Sequence, residues 1–129
     1  MKLKQGSLTI RRLKMLRKFI EKLPERACAM DVVLTNPDMY PIPSAESMKR
    51  NEFACGTVGC FKGWTEVMES LYTGKRLNVC VAKDYLRLDG YQEDALFYDV
   101  PAKPRSGWKR WMLRRLDKII ASGEIRPVK

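Results

Sequence analysis

The densest cluster of chemically capable residues lies at Cys55-Gly56-Thr57-Val58-Gly59-Cys60, with Lys62 two positions on. A glycine able to take positive φ, a hydroxyl able to cap a helix and a run of free amides are the parts of an anion site. Gly56 opens the turn in this reading. Thr57 accepts from the amides of Gly59 or Cys60, and the amides of Val58 and Gly59 meet an oxyanion at the positive end of the following helix. Lys62 adds charge. The stretch lacks the Lys-Ser/Thr ending of a P-loop and does not follow a strand, which argues against nucleoside triphosphate hydrolysis. The alternative is a capped helix whose glycines serve packing.

The second cluster is Arg110-Trp111 with Arg114. Trp111 lies off the apolar stripe Trp108-Met112-Leu116, so its indole is expected among guanidiniums, where it can stack on a base. Trp64 and Trp108 read as core. Cys55 and Cys60, with four residues between them, could supply half a tetrahedral zinc site that Cys28 and Cys80 complete. Single cysteines within apolar stripes are more often inert core residues, so no metal and no cofactor is expected. Histidine is absent from the chain. Ser-His-Asp, Cys-His and His-ligated zinc chemistry go with it, and no catalytic residues are assigned: the reading is a binding protein, not an enzyme.

Charge separates along the sequence. Residues 1–26 carry nine bases and two acids, residues 27–83 six of each, residues 84–99 five acids and one base, and residues 100–129 nine bases and two acids, for a net +10. Two basic ends therefore flank an acidic insert, and if they pack side by side their fields add toward an anionic partner. Two solvated helix faces are the plainer reading. The acidic insert could grip a basic partner or simply face water.

These residues need elements to hold them. The 129 residues are expected to form one domain, 1–129,. From Ser7, an N-cap, Ile10, Leu13, Leu16, Phe19, Ile20 and Leu23 recur with helical spacing up to Pro24, while Arg11, Lys14, Lys18 and Lys22 line the other side,. A short helix is expected at 27–34, then a loop set by Pro37, Pro41 and Pro43. A central helix begins at Thr57, carries the stripe Cys60-Trp64-Val67-Leu71 and stops at Gly74. A helix over 77–88 closes at Asp89-Gly90. A shorter acidic helix over 91–98 turns Ala95, Leu96 and Phe97 inward, and Ser106 caps a last helix whose outer side holds Arg110, Arg114 and Lys118. The fold class is all-α, with five or six helices and proline-rich loops. No apolar run is long enough to span a membrane.

Cys55-Gly56-Thr57-Val58-Gly59-Cys60-Phe61-Lys62-Gly63-Trp64 resembles the signature C-G-T, two residues, C, two residues, G, aromatic of a family of small tailed-phage and prophage proteins. Leu88-Asp89-Gly90 through Ala95-Leu96-Phe97 follows the outline of that family as well. Gly59, Lys62 and the basic last helix depart from it. The resemblance implies a viral accessory protein in the cytoplasm of an infected bacterium. Joined to the anion turn, it implies an anti-defence protein that binds and sequesters a phosphate-bearing, nucleotide-derived signal without turnover, with homo-oligomerisation able to bring a basic helix over a neighbour's turn. The alternatives are a nucleic-acid-binding phage protein, with a basic helix along phosphates, and a protein-binding inhibitor of a host factor. Membrane partners are not expected.

Overall fold

The computed structural model describes residues 2–30, 59–102, 104, 105 and 107–128. Helix α1 spans Leu8–Glu21, and Ser7 Oγ accepts from the amide of Ile10 at 3.2 Å, as its position before the apolar repeat requires,. Ile10, Leu13, Leu16 and Ile20 are fully buried, so the stripe that recurs every three or four residues is the core face,. Arg11, Lys14, Lys18 and Lys22 are exposed.

After Pro24 the expected helix at 27–34 is replaced by one 3-10 turn, Glu25–Ala27, and Cys28 then bridges in parallel to Gly59; residues 31–34 lie outside the described part. The physical reason is the Ala27 carbonyl. It accepts both the amide of Gly59, at 2.9 Å, and the indole Nε1 of Trp64, at 2.8 Å, instead of an amide further along a helix,.

Helix α2, Phe61–Thr73, starts later than Thr57: its N-cap is Cys60, with no side-chain cap bond. Phe61, Trp64 and Met68 are fully buried, and Gly74 ends the helix at φ 77°,. The single helix expected over 77–88 is broken. A 3-10 turn, Leu77–Val79, leads to helix α3, Ala82–Leu86, whose first amide donates to Glu66 Oε2 at 3.4 Å. Val79 and Val81 face water, because the apolar spacing there fits two short turns and not one stripe. Arg87, at φ 56°, ends α3.

Asp89 opens a helix instead of closing one. Its carboxylate accepts from the amide of Gln92 at 2.8 Å while Gln92 accepts from the Asp89 amide at 3.0 Å,. Helix α4, Gly90–Glu93, runs on into a π turn, Asp94–Tyr98, that buries Ala95, Leu96 and Phe97 as the sequence suggested. Helix α5, Trp108–Ser122, buries Trp108, Met112, Leu116 and Ile119. Its N-cap is Gly107, at φ 89°, where a Cβ would meet the Glu25 carboxylate; Ser106, the expected cap, lies outside the described residues. The fold is all-α, with five helices among the described residues.

α1 and α5 pack antiparallel. Leu3 donates to the Gly123 carbonyl at 2.6 Å, Gln5 to that of Ile120 at 2.8 Å, and Lys109 Nζ to the carbonyls of Glu21 and Leu23 at 2.8 and 2.7 Å. Arg17 bridges the seam to Asp117 at 2.6 Å and also pairs with Glu21. Beyond α5 the tail turns back, pinned where Val128 donates to Asp99 Oδ2 at 2.8 Å and where Arg115 reaches the Arg126 carbonyl. The apolar faces of all these elements form one cluster, and truncating one of its buried leucines to alanine costs roughly 2–5 kcal/mol,.

Candidate binding groove

The tail and α4 do not close completely over α5. Between them lies an open groove of about 630 Å³, a volume within the range of small-molecule sites,. One wall is α5 itself, whose helical spacing brings Trp111, Arg114, Arg115, Lys118 and Ser122 to one side,. Tyr91 forms part of the opposite wall and Arg126 comes from the tail. Among the described residues that line the groove, Glu124 is the one carboxylate against the four cations Arg114, Arg115, Lys118 and Arg126, and it pairs with Arg126 at 2.7 Å.

Trp111 is held by edge contact with Trp108, ring centroids 5.7 Å apart at 87°, and by a tilted contact with Phe61 at 6.1 Å. One side of the indole thus belongs to the core and the other lines the groove, which fixes the ring before any ligand arrives. Tyr91 is 61% exposed, on a helix start locked by the Asp89–Gln92 capping box.

Arg115 is the half-buried member. Its Nη2 donates to the Ala95 carbonyl at 3.0 Å and to that of Arg126, while its Nε is buried without a protein partner. Burial pulls its pKa below the ordinary arginine value, with Asp99 acting in the opposite direction. Arg114 and Lys118 are exposed, so the groove offers two solvent-facing cations and one half-buried guanidinium held by backbone carbonyls,.

Two of the residues singled out in the sequence, Trp111 and Arg114, meet in this groove. Arg110 is exposed on α5 but does not line it. Lys62 is placed elsewhere, 3.2 Å from Glu66. Burial works against the charge on Lys62, but Glu66 outweighs it and the pKa is raised. Gly56, Thr57 and Val58 lie outside the described residues. Gly59 does not supply a free amide: its N–H is spent on the Ala27 carbonyl at 2.9 Å, and its own carbonyl accepts from Ala29 at 3.1 Å. With α2 beginning at Phe61, Gly59 also precedes the helix end whose dipole an anion would use,.

Cys28, Cys60 and Cys80 are buried free thiols, and Cys55 lies outside the described residues. Burial pushes the Cys28 thiol up to about 12, and burial first, then Glu69 and Glu66, raises Cys80 as well. Among the described residues no three His, Cys, Asp or Glu side chains gather as metal ligands.

Lys118, Arg115 and Ser122 were accessible to sequence reasoning, because they follow Trp111 at helical intervals along one side of α5. Tyr91 and Arg126 were not, because chain folding alone brings them across from α5. No protein-family description, curated protein or solved structure matches the chain.

Proposed function

We propose that this protein binds a phosphate-bearing, nucleotide-derived small molecule in the α5 groove and holds it without turnover. The observation that carries the reading is the joint placement of a fixed indole, Trp111, with Arg114, Arg115, Lys118 and Arg126 around one cavity. An aromatic face takes a base, and guanidinium and ammonium groups take phosphate, so the two halves of a nucleotide find separate partners. Release without reaction suits the residue set. The chain has no histidine, and thiols raised by burial are poor nucleophiles,. The resemblance of the Cys55–Trp64 stretch to small phage proteins makes sequestration of a bacterial defence signal, in the cytoplasm of the infected cell, the biological setting we favour.

A nucleic-acid-binding reading has one observation of its own. The outer sides of α1 and α5 adjoin across the Arg17–Asp117 pair, and Arg11, Lys14, Lys18, Arg110 and Arg114 are all exposed there. Such a surface would bind phosphates by counterion release, with a linear fall of log affinity against log salt.

Native mass spectrometry of protein purified from bacteria with an active nucleotide-signalling defence separates the two. A retained small molecule that Arg114→Glu with Lys118→Glu releases supports sequestration. Protein that comes away bare, yet retains DNA or RNA in a salt-sensitive manner, refutes it.

A further inference from the structure

The groove has two aromatic walls, and they stand at opposite ends of it. The tail leaves α5 at Gly123, reaches Arg115 at the Arg126 carbonyl and reaches Asp99 at Val128. Arg115 in turn donates to the Ala95 carbonyl. Residues 90–99 therefore run antiparallel to α5, with Asp99 toward the Trp111 end. Tyr91, one turn before Ala95, lies on the Ser122 side of Arg115. The other end of the molecule agrees: Gln5 bonds to Ile120, and Thr9, one turn into α1, donates to the Leu86 carbonyl just ahead of α4. From Trp111 to Ser122, α5 advances about 16 Å, and Arg114, Arg115 and Lys118 fall between the two rings,.

We infer that the ligand class is a dinucleotide: two bases joined through phosphate, one stacked on Trp111, the other on Tyr91, with the linking phosphate among Arg114, Arg115, Lys118 and Arg126. This rests on the nucleotide-binding reading above. A mononucleotide satisfies one ring and leaves the other in water. A dinucleotide satisfies both and places its charge where the cations are concentrated. Tyr91 supports this role because it is exposed and takes no part in the core, so its ring is available at no cost to packing.

The test is calorimetric titration of the full chain with three probes: AMP, the 5′-phosphorylated linear diadenylate, and a ten-residue oligoadenylate. Diadenylate is expected to bind about tenfold or more tighter than AMP, the increment of one added base stack. Tyr91→Ala should bring diadenylate affinity down to that of AMP for the same variant, with the melting temperature unchanged. Equal affinities for AMP and diadenylate would overturn the two-base inference while leaving nucleotide binding in place. Diadenylate that keeps its advantage in Tyr91→Ala would overturn it too. Binding of the oligoadenylate alone, with neither small probe retained, would instead overturn the sequestering reading from which the inference grows, and so would failure of all three to bind.

Discussion

Replacing Trp111 by alanine asks one residue to report on packing and on binding separately. The indole contacts Trp108 edge-on and Phe61 at a tilt, and each such aromatic pair is worth roughly 0.5–1.5 kcal/mol beyond area burial,. A fully buried tryptophan truncation costs about 3–5 kcal/mol, and Trp111 is only half-buried, so a loss of about 2 kcal/mol of stability is expected,. Stacking of one base adds about 1–3 kcal/mol to binding, which is a fall in AMP affinity of roughly 5- to 150-fold. Urea unfolding followed by far-ultraviolet circular dichroism gives the first quantity, and calorimetric titration of the same preparation, at a temperature where the variant is folded, gives the second. A variant that loses the stability yet binds AMP as the wild type does would show Trp111 to be core alone, and the reasoning from the groove would fail.

Two further outcomes follow from the fold. Asp89→Ala removes half of the capping box that starts α4 and should lower stability by about 1 kcal/mol in urea unfolding; an unchanged midpoint would contradict the assigned cap,. Cys28 should make the protein less stable at alkaline pH. Its thiol is held protonated in the fold, from an ordinary value of 9.0 up to about 12, so the unfolded chain ionises first and stability falls as pH rises through that window,. Unfolding midpoints at pH 8 and pH 10.5 should therefore differ more in the wild type than in Cys28→Ala, and equal slopes would refute the burial argument.

The elements that sequence periodicity located well are those with a long, uninterrupted stripe. Ile10 to Ile20 and Trp108 to Ile119 each bury one face of a helix, and both helices present the expected cations on the other. Short elements were legible only in part. Val79, Cys80 and Ala82 mimic a helical stripe, yet only Cys80 and Ala82 are buried: helix α3 starts afresh at Ala82, whose amide donates to Glu66, and the left-handed Arg87 ends it. Asp89-Gly90 reads as a stop from sequence, but the Asp89 carboxylate and the Gln92 side chain each accept from the other residue's backbone amide and make it a start. The candidate site divides in the same way. Trp111 and Arg114 share one helix side and were visible as a pair, whereas Tyr91 and Arg126 join them through the antiparallel return of the chain. Gly59 misled because its backbone donor is taken by Ala27, a partner thirty-two positions earlier that no local pattern announces.

Nucleotide binding in the α5 groove is the central claim to test. The most direct measurement is a titration of isotopically labelled protein with AMP, followed by amide and indole NMR signals, with the outward face of α1 as the internal control. Shifts concentrated on the Trp111 indole, on residues 114–118 and on residues 122–128, with Arg11, Lys14 and Lys18 unmoved, are the predicted result. A spectrum unaltered by AMP at millimolar concentration, or one in which only the α1 face responds, would contradict the account.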